Sequence, residues 1–146
     1  MQVFRNMKRQ DAEEVAFLEQ MNFQDAWTCK GILETYAQPQ SFITVAEEDD
    51  EIIGYCIIYF VLDEGEIARI AVHPQKQHKG VGRKLLDYTC KVSREKNICR
   101  LMLDVRESNK AARKFYERYG FAEDGVRKKF YEKPTEDAIL MSRQIG

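Results

Sequence analysis

One hundred and forty-six residues is the length of one domain able to bury a single sizeable core. With 44% hydrophobic and 32% charged residues and a net charge of −1, the chain has an ordinary globular composition; a bulk polycation built for nucleic acid is excluded. Its longest apolar run, Cys56 to Leu62, is seven residues, far below the roughly 20 that span a bilayer, and the first ten residues lack the apolar stretch of a secretory signal. A single domain over 1–146 is expected, cytoplasmic, neither membrane-spanning nor exported.

Asp11-Ala-Glu-Glu14 reads as a capping box opening a first helix, with Val15, Phe17 and Leu18 as its apolar face. Thr28 caps a short second helix that carries Ile32, Leu33 and Tyr36 and stops before Pro39. Trp27 lies between the two. Phe42–Ala46 and Ile52–Leu62 flank the turn residues 48–51 and read as a hairpin. A second turn at 63–66 leads to the strand Ile67–Val72, which ends before Pro74.

A basic loop with glycines follows, then an amphipathic helix with Val81, Leu85, Tyr88 and Val92 on one stripe. Residues 98–105 alternate Leu101, Leu103 and Val105 against Met102 and Asp104, a strand with two unlike faces. Asn109 precedes a helix over 110–119 closed by Gly120. Two strands, near 121–131 and 137–144, finish the chain. The strand-helix-strand unit from Ile67 to Val105 is expected to be parallel and right-handed. The fold class is α+β, three layers, with a mixed, mostly antiparallel sheet of six or seven strands and helices on both faces.

The four cysteines are scattered, with no paired spacing and no histidine at ligand distance, so neither structural zinc nor a disulfide framework is expected. Charge is segregated. Residues 47–66 hold eight acids and no Lys or Arg, whereas 69–100 hold nine Lys or Arg against Asp87 and Glu95. Two solvated faces account for this, and so does one site for a cation beside another for an anion.

The segment from Val72 to Arg83 is the most informative. Gly80 and Gly82 allow backbone N–H groups to approach a ligand, the following helix contributes its positive end, and Lys76, Lys79 and Arg83 surround the spot. A pyrophosphate suits such a loop; plain helix capping is the alternative. Neither the dinucleotide fingerprint nor the P-loop spacing is present.

Gln77-x-x-Gly80-x-Gly82, after a strand ending Ile70-Ala71-Val72, resembles the coenzyme A signature of the GNAT-type N-acetyltransferases. Residues 103–109 and 115–121 are similar to that family's later motif. Residues 61–64 and 136–141 resemble its ribosomal-protein-alanine N-acetyltransferase (RimI-like) branch. The resemblance implies a GNAT-like fold and acetyl-CoA as co-substrate, with no metal. It implies that the backbone of Ile70, Ala71 and Val72 holds the pantetheine arm and acetyl carbonyl. Gln77 belongs to the signature, and His78, Lys79, Gly80, Val81, Gly82 and Arg83 would hold the pyrophosphate. Asn109 matches a coenzyme A-contacting amide and Tyr116 the general acid. Asp104 falls where the branch has a glutamate base, a departure by one methylene.

Chemistry fits these types. An α-amino group, with a pKa of about 8, is mostly protonated at neutral pH and must lose a proton before it attacks a thioester. A carboxylate can take that proton, and a phenol can protonate the departing thiolate. The alternative is that Asp104 pairs with Arg106 or Arg100, leaving Glu66, Glu107 or a water as base. Tyr116 has a structural alternative, and so do Trp27 and Tyr131 as lips of an acceptor slot. The acidic loops would steer a basic peptide.

The expected function is acetyl transfer to a protein N-terminal amine, foremost the N-terminal alanine of a small-subunit ribosomal protein, by direct attack in a ternary complex. Acetylation of a small-molecule amine, or non-catalytic acyl-CoA binding, are the alternatives. The expected partner is a protein N-terminus, with neither nucleic acid nor membrane.

Overall fold

The computed structural model describes residues 1–146. In chain order the elements are β1 (Gln2–Asn6), α1 (Ala12–Asn22), α2 (Cys29–Tyr36), β2 (Ser41–Glu48), β3 (Glu51–Val61), β4 (Glu64–Val72), α3 (Val81–Glu95), β5 (Arg100–Arg106), α4 (Lys110–Arg118), β6 (Ala122–Tyr131) and β7 (Glu136–Gln144). Seven strands form one sheet in the order β1-β2-β3-β4-β5-β7-β6. All neighbours are antiparallel except β4 and β5. The fold is the expected mixed three-layer α+β sheet, and the β4-α3-β5 unit is parallel as expected. No helix is long and apolar enough to cross a membrane.

The sheet separates two cores. On one face Cys56, Ile58, Ile67, Leu101, Leu103 and Val105 pack with α3 and α4. On the other Ile43, Val45, Tyr55, Ile57 and Ala71 pack with α1 and α2. Each core buries apolar side chains from one face of the pleat, at about 25 cal/mol per Å² removed from water.

Two departures matter for the site. Parallel pairing of β4 with β5 covers only Glu64–Glu66 against Arg100–Met102. Beyond those rungs the strands part, so the β5-side backbone edge of Ile67–Val72 faces a gap. In addition, the β3–β4 register shifts between Ile57 and Ile58, which leaves Ala68 as an extra residue. The bulge brings both Ile67 and Ile70 to the α3/α4 face and turns Arg69 toward Glu19 of α1.

Several local expectations are corrected. Asp11 does not cap α1. Its carboxylate takes two hydrogen bonds from Arg5 and one from the Lys8 N–H, and Glu14 accepts the Ile52 N–H. Phe17 is exposed, whereas Glu19 is fully buried. The turn expected at 63–66 lies earlier, with Leu62 at φ 54° and β4 already under way at Glu64. β1 is an additional strand at the sheet edge. The Thr28 cap forms as expected, accepting the Gly31 N–H at 3.0 Å, and Gly120 takes the left-handed conformation expected of it.

Candidate active site

The parted strands are covered on the α3/α4 face by a cleft of about 780 Å³. Its walls include Ile70, Ala71, Val72, Gln77, His78, Gly80, Gly82, Arg83 and Tyr116, all singled out from the sequence. Asn22, Lys76, Lys110, Lys114, Phe115, Arg118 and Tyr119 also line it. Lys110, Lys114 and Arg118 recur at a spacing of four on α4, a one-sided cationic stripe visible in sequence but not singled out.

The glycine loop has the geometry of a cradle. Gly80 sits at φ 85° with nothing within 4 Å of where a Cβ would be, so its backbone is open to the cleft. A Cβ at Gly82 would lie 3.2 Å from the Phe115 ring, so this glycine lets α3 approach α4 closely. Gln77 straps the loop, donating from Nε2 to the Val72 carbonyl at 3.0 Å and to Asn22 Oδ1 at 3.3 Å. Arg83, Lys110, Lys114 and Arg118 have no acidic partner, so the mouth carries uncompensated positive charge. Lys76 differs: it is paired with Glu48 at 2.7 Å.

Three of the expected coenzyme residues lie outside the cleft lining. Val81 is buried in the α3/α4 core. Lys79 is exposed beside the loop. Asn109 caps α4, its Oδ1 accepting the Ala112 N–H at 3.1 Å.

Tyr116 lines the cleft but is buried, with 8% of its surface exposed. Its ring packs edge-on against Phe115 and Phe121 at 5.4 and 5.6 Å, and its hydroxyl has no partner within the chain. Burial first, then the neighbouring Cys56 thiol and Tyr131, push its phenol well above the ordinary value. It therefore keeps its proton at neutral pH.

Asp104 is on the opposite face of β5 from Leu103 and Val105, and so belongs to the α1/α2 side of the gap. The pairing with Arg106 or Arg100 does not form. Arg106 bonds Glu136 and the carbonyls of Glu132 and Pro134, and Arg100 pairs with Glu64 and Asp124. Asp104 is left without a hydrogen bond or ion pair, and so is Glu66. Burial chiefly, and then the Asp104 charge, raise the Glu66 carboxyl above its usual range, while Arg127 opposes the shift. Tyr131 stands beside them, pushed up to about 12 by burial and by Asp104, with Arg106 stacked 4.5 Å from its ring centroid.

The facing wall is the connection between α1 and α2. Buried Glu19 accepts the Tyr55 hydroxyl, the Trp27 N–H at 2.9 Å and Arg69 Nε at 3.3 Å. Arg69 also donates to Asp25 and stacks 4.0 Å from the Phe23 ring centroid. This network, centred on a carboxylate that no apolar pattern reveals, fixes Trp27, whose ring centroid lies 5.8 Å from the Arg69 guanidinium.

A sheet split between its two parallel strands, entered from one face through a cationic glycine loop and presenting free carboxylates on the other, is the arrangement expected of the acyltransferase class that the sequence resembles. The chain belongs to the acetyltransferase (GNAT) family, whose model it matches over residues 8–121. It is 33% identical, over 94% of its length and 91% of the relative's, to a Bacillus subtilis protein provisionally named [ribosomal protein bS18]-alanine N-acetyltransferase. A Haemophilus influenzae [ribosomal protein bS18]-alanine N-acetyltransferase is 42% identical over 65% of this chain and 66% of its own. The solved ribosomal-protein-S18-alanine N-acetyltransferase of Escherichia coli superposes with a TM-score of 0.91 at 28% identity, covering 100% of this chain and 95% of that one.

Proposed function

We propose that this N-acetyltransferase carries an acetyl group from acetyl-CoA to a protein N-terminal amine, that of an alanine on a small-subunit ribosomal protein such as bS18, the chain acting as one domain over 1–146. The carrying observation is the pair of unpartnered carboxylates, Asp104 and Glu66, on one face of the strand gap, with the unpartnered Tyr116 hydroxyl reaching it from the other. The names and extent of the relatives support the acceptor.

The residues present fit acetyl-CoA. The open backbone at Gly80, the unpaired cations and the free edge of Ile70–Val72 suit a pyrophosphate followed by an amide-bearing arm. When bound there, the thioester supplies the activated acetyl group. The backbone of Ile70, Ala71 and Val72 orients it across the gap, and Arg83 with the glycine loop holds the phosphates.

On the acceptor side, Asp104 and Glu66 attract the ammonium form of the N-terminus. Asp104 takes one proton, directly or through a water, since its side chain is a methylene short of glutamate. The free amine attacks the acetyl carbon; as the C–S bond breaks, Tyr116 gives its proton to the leaving sulfur, and the second proton shed by the new amide nitrogen passes to solvent, from which Tyr116 is re-protonated. Trp27 and Tyr131 flank the entering peptide. The acidic loops add long-range attraction for a basic tail.

Tyr116→Phe keeps the ring packing and removes only the hydroxyl. It is expected to lower kcat about 10²-fold, with thermal unfolding almost unchanged, measured by free-thiol release and a melting curve. The proposal as a whole is tested with acetyl-CoA and two acceptor panels, N-terminal peptides and small amines, read by thiol release and mass spectrometry. An Ala-leading peptide of bS18 is expected to be acetylated on its α-amine with the highest kcat/KM. Faster turnover of the small amines overturns the acceptor assignment, and thiol release from no acceptor overturns the catalytic reading.

A further inference from the structure

Behind the cleft wall, past Tyr119, lies a second cavity of about 400 Å³. Arg83 and Arg118 belong to both cavities; Arg94 and Arg143 line only this one. Its single carboxylate, Asp87, is already engaged, accepting the Tyr119 hydroxyl at 2.6 Å. None of the four arginines has an acidic partner.

Their positions are held by other means. The Tyr119 ring carries Arg143 at 4.7 Å and Arg83 at 5.9 Å from its centroid. The Arg143 side chain occupies the space beside Gly120, where a Cβ would meet its Nε at 3.2 Å. Arg94 donates from Nε to the Ile145 carbonyl, which anchors the guanidinium while leaving its terminal nitrogens free. Like charges gathered without a counter-charge repel one another, and planar guanidinium forks match tetrahedral oxyanions bidentately.

We propose that this cavity is a second anion site, which takes a phosphate-class oxyanion while the acyl donor occupies the cleft. Because Arg83 and Tyr119 line both spaces, an anion here would also steady the wall of the first. Two sources carry that chemistry, a free phosphate or pyrophosphate and the phosphodiester of an RNA strand.

The test uses the full chain saturated with coenzyme A, so that the glycine loop and the coenzyme's own phosphate contacts are filled. Inorganic pyrophosphate is titrated by calorimetry. Saturable binding of one equivalent is expected, weakened about tenfold or more in Arg143→Gln and separately in Arg94→Gln, as befits loss of one charge-assisted contact. A melting curve for each variant checks the fold, and having two variants on different elements keeps the test valid if one of them is unfolded. An unstructured RNA oligonucleotide is then added: competition with pyrophosphate assigns the phosphodiester source, and its absence assigns the free anion. The proposal is overturned if the coenzyme-loaded protein takes up no pyrophosphate. It is equally overturned if uptake appears only with 3′-dephospho-coenzyme A, because the cavity is then the coenzyme's own subsite.

Discussion

Asp104→Asn is expected to lower kcat by about 10²–10⁴-fold while leaving the KM for acetyl-CoA within a few-fold of its starting value. The side chain has no partner to lose, so a melting curve should scarcely move, and the loss is chemical rather than structural. The residual activity also carries a signature. Asp104's charge is one of the two causes that hold Glu66 above the usual carboxylate range. With that charge gone, Glu66 ionises more readily, so any rate that depends on it has its acidic limb displaced toward lower pH. The check is kcat/KM against pH for wild type, Asp104→Asn and Glu66→Gln. Full activity in Asp104→Asn together with collapse in Glu66→Gln would transfer the proton-accepting role to Glu66.

The largest expected stability effect lies at Glu19. Its fully buried carboxylate receives three donors from three elements: Tyr55 on β3, Arg69 on β4 and the Trp27 N–H between α1 and α2. Glu19→Leu fills the space but leaves the Tyr55 hydroxyl and the Trp27 N–H without their acceptor and Arg69 held by Asp25 alone. Removing one partner of such a network typically costs ~3–5 kcal/mol, which for a chain of this size is a fall of roughly 10 °C in Tm. Glu19→Gln, which keeps an acceptor oxygen, should lose less. Because the network fixes Trp27 and Phe23, acceptor KM should rise in either variant, whereas KM for acetyl-CoA should not. Calorimetric melting and steady-state kinetics with both substrates separate these effects.

Much of the architecture was legible because it depends on local pattern. Thr28, Asn109 and Gly120 signal helix ends through their own backbone chemistry, and all three do so here. The glycine loop likewise announces its shape by spacing. What was hidden depends on partners distant in the chain. β1, a short edge strand with mixed polarity, is defined by its pairing with β2, more than thirty-five residues away. Asp11 looks like a cap until Arg5 and Glu47 are brought beside it. Glu19 reads as a surface position, since nothing local says that a tyrosine and an arginine will arrive to satisfy it. Lys76 looked like a phosphate ligand, but its charge is already taken by Glu48. Asp104, the proposed base, could be assigned to a strand face by alternation, but its lack of a partner could be seen only once Arg100 and Arg106 were found bonded elsewhere.

The two cores on opposite sides of the sheet have a consequence for how such a protein can diversify. Residues around the glycine loop pack with α3 and α4, while Trp27, Arg69 and Glu19 pack with α1 and α2. Substitutions well separated across that divide should combine nearly additively. The entrance for a new acceptor can thus be reshaped by drift in one half of the molecule, with the other half's affinity for its thioester inherited intact.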